Sequence, residues 1–245
     1  MAMVANAGRR AVLAGLGASA ALGTLPNRSA MAAGPAVDLQ LMLAADVSRS
    51  INDARFQLQR EGYAAAIADP RVVRAMTGGR LKRMALGYCE WSSPSQQTTL
   101  VDWTVIDGQE TAEGFAGQLL LPPRPFAAST AIGEAIGYAM REFERCPFPS
   151  DRRTIDISGD GTNTNGLPAE VGRDRAVAAG ITINGLAILS DTPSPWNPNH
   201  THPPGGLDGW YRENVIGGPG AFLLSVMGFE TFAFAMVNKL SRESS

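Results

Sequence analysis

The sequence predicts a doubly wound α/β fold: a mostly parallel central sheet with helices on both faces. Three observations lead there. Beyond residue 36, short β-rich runs alternate with helix-length amphipathic segments. The first of those runs, Val37 to Ala45, is nearly all apolar, as a strand covered on both faces must be. The main polar clusters fall just past strand ends, where open α/β sheets bind ligands.

Taken in order, Val37 to Ala45 gives the first strand, which ends at Asp46. A helix is expected over Asp53 to Ala68, with Phe56, Tyr63 and Ile67 on one face, Ser50 or Asn52 placed to cap its start, and Asp69-Pro70 ending it. Met84 to Trp91 reads as a second strand and Thr99 to Ile106 as a third, with Val101, Trp103 and Val105 alternating. Thr111 to Leu121 follows as a short helix before a proline-rich turn at residues 122–125. Thr130 to Arg145 is a further helix, and Arg153 to Ser158 a fourth strand running into Gly159-Asp160-Gly161. Ala169 to Ala179 is helical, closed by Gly180, and Ile181 to Leu189 is the fifth strand. Asp191 to Gly209, rich in proline, is expected to be a loop. An extended segment near Ala221 to Val226 leads to a last helix from Phe229 to about Leu240, whose stripe of Phe229, Phe232, Ala233, Met236, Val237 and Leu240 should pack on the sheet.

The 245 residues, 44% of them apolar, suffice for one sizeable core, and a single domain over 33–245 is the simplest division. Residues 1–32 differ in kind. Arg9-Arg10 precedes an uncharged stretch from Ala11 to Leu25, and Ala30-Met31-Ala32 offers the small-x-small pattern of a signal peptidase site. The order is that of an export signal peptide, and its apolar part is short of the roughly 20 residues that span a bilayer, so no permanent membrane span is expected. The paired arginines admit a twin-arginine route beside general secretion. An exported, periplasmic location is the expectation. Gly15-Leu16-Gly17-Ala18-Ser19-Ala20 matches a dinucleotide-binding fingerprint, but no buried strand precedes it and Asp38 stands at the start of the next apolar run rather than its end.

Net charge is −2, and loss of Arg9, Arg10 and Arg28 with the signal would leave 18 basic against 23 acidic residues, or −5. There is no basic field for nucleic acid. Cys89 and Cys146 should lie near opposite ends of adjacent core strands, too far apart to bridge, and are expected as two free, mostly buried thiols.

Chemistry concentrates in three places. Asp46, Ser48 and Ser50 directly follow strand one, and alternate residues of an extended turn point the same way. Ser129-Thr130 opens a helix about 80 residues on, and Asp160 follows strand four about 30 residues later. Oxygen donors with two carboxylates suit a hard cation, Mg²⁺, Mn²⁺ or Ca²⁺, and hydroxyls complete the shell without quenching its charge. Each piece also has a plainer role: Asp46, Ser48 and Ser50 as a helix-capping cluster, Thr130 as a cap, Asp160 as an Asp-Gly turn. Asp151 and Asp156 are expected to be structural or surface residues. His200 and His202 form an H-x-H pair without an evident third ligand and are expected on a surface loop, although that loop should hang over the same sheet edge as the site. Gly217-Gly218-Pro219-Gly220 lacks the Lys-Ser/Thr of a phosphate loop.

In this register the combination resembles the metal-ion-dependent adhesion site of von Willebrand factor A domains, in which a D-x-S-x-S loop, a Thr and a later Asp surround a divalent ion. The matching residues are Asp46, Ser48, Ser50, Thr130 and Asp160. Residues 56–63, Glu90-Trp91-Ser92, Arg152 to Gly161 and Val215 to Phe222 resemble more specifically an uncharacterised family of exported bacterial proteins of this class. Arg49 stands where that site often has Gly, and Ser158-Gly159 replaces a common Thr before the Asp-Gly pair. The resemblance implies a binding module whose ion takes a Glu or Asp from a partner protein, with binding coupled to a shift of the last helix. An enzyme is not expected: the alternatives are a metal-dependent hydrolase, a phosphotransferase using Asp46, which would lack the usual second carboxylate at residue 48, or a scaffold that binds no metal.

Overall fold

The computed structural model describes residues 34–243, which leaves the expected export segment outside the described residues. Its element order is β1 (Gln40–Asp46), α1 (Asp53–Ile67), α2 (Pro70–Met76), β2 (Met84–Trp91), β3 (Gln97–Ile106), α3 (Gln109–Leu119), α4 (Ile132–Arg145), β4 (Arg153–Gly159), α5 (Ala169–Ala178), β5 (Thr182–Leu189), α6 (Pro198–Thr201), α7 (Gly206–Asn214), β6 (Leu223–Met227) and α8 (Phe232–Glu243). The sheet runs β3-β2-β1-β4-β5-β6, and every neighbour is parallel except the β2–β3 hairpin. The expected doubly wound α/β architecture is therefore present.

Strand β1 lies at the centre of this order, flanked by β2 and β4, and all seven of its side chains are buried. Leu39, Leu41, Leu43 and Ala45 face a core built with α1, α2, α3 and α8; Met42 and Ala44 face a second core under α4, α5 and α7. Full burial of a Leu stabilises by about 1.5–3 kcal/mol over leaving it in water, which favours a continuous apolar run here. The chain leaves β1 toward β2 on one side and returns to β4 on the other, so the winding reverses between β1 and β4. Beyond the carboxyl ends of such strands a crevice opens.

Several element bounds depart from the sequence reading. Asp69-Pro70 ends α1 and also starts α2: the Asp69 side chain accepts from Arg71 N, and Pro70 takes the first-turn position that needs no N–H. Thr130 precedes α4 rather than opening it. The expected 191–209 loop contains α6 and the start of α7, and α8 begins at Phe232 rather than Phe229. Cys89 is buried and Cys146 half-buried, and both thiols are free. Among the described residues no helix is long and apolar enough to cross a membrane.

Candidate metal centre

Asp46 closes β1 and is fully buried. Its Oδ1 accepts from Ser48 N at 2.7 Å, so the loop turns back on its own carboxylate, while Oδ2 has no hydrogen-bond partner. The Ser48 and Ser50 hydroxyls lie 3.1 Å apart, and Ser50 Oγ donates to Asp160 Oδ1 at 2.6 Å. Four of the five predicted residues thus form one connected cluster at the ends of β1 and β4. Thr130, also buried, arrives from the segment before α4 and is placed by its backbone: Thr164 N and Asn165 N donate to Thr130 O, and Thr130 N donates to Thr164 Oγ1. Asn163 Oδ1 accepts from Ile132 N at 2.7 Å, capping α4 from that same loop.

Residues to which the sequence assigns no role at the site hold this arrangement. Arg124 Nη2 donates to Val47 O, Ser48 O and Ile51 O at 2.8, 3.0 and 2.8 Å, clamping the 46–51 loop by its carbonyls. Gln59 Nε2 donates to Asp46 O at 3.0 Å. Ser92 joins β2 to the 128–131 segment: its hydroxyl donates to Ser129 O and accepts from Ala128 N, and its carbonyl accepts from Ala131 N. Beneath them the buried Arg60 makes a two-pronged ion pair with Glu90 at 2.7 and 3.0 Å and donates to Pro122 O and Pro123 O. Tyr63 Oη bonds Ser158 Oγ at 2.7 Å. The peptide segments 56–63 and 90–92 therefore form the support of the site rather than its donors.

Two further side chains reach it from the β5–β6 connection. His200 was expected on the surface; it is buried, 6% exposed, with Nε2 3.5 Å from Thr130 Oγ1 and Nδ1 3.5 Å from Thr162 Oγ1. The cause is Gly161, where the ring lies so close that a Cβ would stand 2.0 Å from His200 Cε1. Its companion His202 is half-buried and contacts Thr201 Oγ1 instead. Tyr211 on α7 buries an unpartnered hydroxyl: a Cβ at Gly159 would lie 2.6 Å from Tyr211 Oη and 3.1 Å from Asp46 Oδ2, so both unpartnered oxygens flank one glycine.

Burial, and then the neighbouring Asp160 carboxylate, hold the Asp46 carboxyl well above the ordinary carboxylate range. Asp160 is raised by burial too, against the lowering effects of the Ser50 hydrogen bond, His200 and Arg55. Burial lowers His200, which favours its neutral form, and raises the Tyr211 phenol, which keeps its proton. Two buried carboxylates, one with a free oxygen, surrounded by hydroxyls and with no side-chain ion pair among the described residues, fit a divalent cation. No group of three His, Cys, Asp or Glu clusters for a metal among the described residues, so the hydroxyls of Ser48, Ser50 and Thr130 are needed to complete the donor set.

The model of one protein family matches residues 36–245. The chain belongs to the DUF1194 family, described as proteins of unknown function. No curated protein matches it in sequence. Among solved structures it is similar to proximal thread matrix protein 1 of the mussel byssus, at TM-score 0.58 and 14% identity over 84% of this chain and 48% of that one. A further structure of that byssal protein, at TM-score 0.57 and 15% identity, is described as having a zinc-occupied MIDAS motif and covers 84% and 48%. The pilus adhesin SpaC of Lactobacillus rhamnosus GG is similar at TM-score 0.57 and 12% identity over 85% and 30%, and an aerotolerance-related membrane protein of Bacteroides fragilis at 0.51 and 19% over 84% and 99%. The chain spans about half the length of the byssal proteins it matches. The fold of the described residues is thus von Willebrand factor A-like.

Around the centre, two cavities of about 260 and 270 Å³ share Arg49, Ser50 and Trp196; Asp160 and Arg55 line the first, Thr130 and His200 the second. Trp196 is 92% exposed on their rim. A larger cavity of about 560 Å³ lies elsewhere, lined by Arg152, Arg242 and Glu243 among others, and contains none of the predicted donors.

Proposed function

We propose that this chain is an exported, periplasmic binding module in which Asp46, Ser48, Ser50, Thr130 and Asp160 hold a divalent ion that captures a carboxylate of a partner protein. The observation that carries the reading is the buried, unpartnered Asp46 Oδ2 beside a second buried carboxylate, Asp160, with the hydroxyls of Ser48 and Ser50 in the same cluster. The ion, Mg²⁺ or Mn²⁺ in the first instance, supplies an electrophilic position for an outside acidic group. The residues of the chain do the rest. Arg124 and Gln59 fix the loop backbone, Ser92 and the 163–165 turn fix Thr130, and Arg49, Arg55 and Trp196 shape the mouth. Arg49 and Arg55 place positive charge around the opening and so favour an acidic partner. The byssal matrix protein with its metal-occupied motif and the pilus adhesin, which share the fold, support a binding role over an enzymatic one.

Calorimetric titration of the protein with Mg²⁺ or Mn²⁺ should show one site, absent in Asp46→Ala, and capture of a partner from periplasmic extract should require that ion and be reversed by chelation. A wild-type protein that takes up no divalent ion overturns the proposal. Turnover of a phosphoester that disappears in Asp160→Ala would replace it with the hydrolase reading.

A further inference from the structure

We propose that His200 is a nitrogen donor of this centre, and that the site accordingly prefers an ion of the Zn²⁺ type to Mg²⁺ or Ca²⁺. The inference rests on the ion reading above and adds to it a donor and a selectivity.

The imidazole is buried yet poorly satisfied. Its backbone is firmly tied, with His200 N donating to Asn197 O at 3.0 Å and His200 O accepting from Thr162 N at 2.9 Å. The ring nitrogens in contrast have only two contacts at 3.5 Å, the outer limit of a hydrogen bond, to Thr130 Oγ1 and Thr162 Oγ1. Buried polar groups normally find full partners, and those that do not point to an absent ion or water. Nε2 faces Thr130, itself one of the five oxygen donors, and the ring shares a cavity with Ser50 and Thr130. No three His, Cys, Asp or Glu side chains gather for a metal among the described residues, so the ring would meet the ion from the Thr130 side rather than close a three-residue group with Asp46 and Asp160.

The seat of the ring is built. Any side chain at residue 161 would enter the imidazole, since a Cβ would lie 2.0, 2.2 and 2.6 Å from Cε1, Nε2 and Nδ1. Glycine directly after Asp160 therefore lets the ring rest on the backbone beside that carboxylate. A donor pair 3.5 Å apart also matches two ligands of one ion, each about 2.0–2.2 Å from it. Imidazole suits Zn²⁺ and other transition metals, whereas Mg²⁺ and Ca²⁺ take oxygen. A site of hydroxyls and carboxylates alone suits hard cations such as Mg²⁺, Ca²⁺ or Mn²⁺ instead.

The test is pulsed electron paramagnetic resonance of the Mn²⁺-loaded wild-type protein. Electron spin echo modulation should show a directly coordinated imidazole ¹⁴N, lost in His200→Gln and kept in His202→Gln. Titration should show Zn²⁺ affinity falling about tenfold or more in His200→Gln, with Mg²⁺ affinity changing less than about threefold. Mn²⁺ bound without nitrogen coupling in the wild type overturns this inference, makes His200 a hydrogen-bond partner of Thr130, and leaves the proposed function standing. Failure of Mn²⁺, Zn²⁺ and Mg²⁺ alike to bind overturns both.

Discussion

Replacing Arg124 with Met separates the support of the metal loop from its donors. The guanidinium touches none of the five donor side chains, yet one nitrogen donates to three carbonyls of the 47–51 backbone, and the group lies over the Phe56 ring at 5.1 Å. A hydrogen bond from a charged donor contributes about 1.5–3 kcal/mol. The three bonds share one nitrogen and are only partly buried, so water recovers some of them and their sum falls well below three separate bonds. The pair with Asp53, whose side chain is almost fully exposed, adds under about 1 kcal/mol. Methionine retains the apolar contact with Phe56. Arg124→Met should therefore destabilise by about 2–4 kcal/mol in urea unfolding. Because Asp46, Ser48 and Ser50 ride on the released segment, Mn²⁺ affinity by calorimetry should fall about 10- to 100-fold, as it does when outer-shell partners of a metal site are removed. An affinity within about twofold of wild type, whatever the loss of stability, would refute the claim that the clamp preorganises the site.

Glu90→Gln leaves the buried Arg60 guanidinium without its counter-charge and should cost about 3–5 kcal/mol, whereas replacing both partners by apolar residues should cost much less; equal urea midpoints for wild type and Glu90→Gln would refute the pairing. A pH test falls on Asp156, whose carboxyl is pushed up to about 7, chiefly by burial and then by the neighbouring Glu243, against the lowering effect of Lys239. Between its ordinary value near 3.8 and about 7 the folded chain binds more protons at this residue than the unfolded chain. This contribution to stability is full below about pH 4 and is lost as pH rises through about 7. Relative to Asp156→Asn, wild type should therefore lose stability on the order of 2–4 kcal/mol between about pH 4.5 and about pH 7.5. Parallel curves, or a gain in wild type, would contradict the sign.

What the sequence made legible was whatever repeats along the chain. The buried run of β1 and the alternation in β3 specify strands locally, and the register of Asp46, Thr130 and Asp160 against those strands points to one candidate centre at the sheet edge. What stayed hidden depends on position in space alone. Gln59, Ser92 and Arg124 act through backbone carbonyls and amides, which carry no sequence signal, although Gln59 and Ser92 sit in peptides already distinctive in the sequence. Asp69-Pro70 was read only as a stop because the same dipeptide serves equally as N-cap and first helical residue. His200 was misplaced because a proline-rich connection usually lies on the surface; the signal for its burial is a glycine at 161, 39 residues earlier in the chain.

Strand β4 shows two ways of burying acid within five residues. At Asp156 the chain supplies the cation itself: Lys239 of α8 lies 2.9 Å from Asp156 and 2.6 Å from Glu243, with all three side chains essentially inaccessible. One ammonium between two carboxylates leaves an excess negative charge, which adds to burial in raising Asp156 and fixes α8 to the sheet through a contact that a proton relieves. At the carboxyl end of the same strand Asp160 meets Asp46, again two carboxylates, and there no lysine or arginine forms an ion pair with either among the described residues. Arg124, the charged side chain that comes to this loop, directs its Nη1 and Nη2 donors to Asp53 and to carbonyls instead. Burying two such groups without a counter-charge opposes folding. On the proposed function, a divalent ion would remove that cost at Asp46 and Asp160 as Lys239 does at Asp156 and Glu243, with the difference that an ion, unlike an ammonium, can retain a coordination position for a carboxylate from outside. Lysine against the middle of β4 makes a structural lock there, and hydroxyls beyond its carboxyl end leave the second pair of carboxylates for the ion of the proposed function.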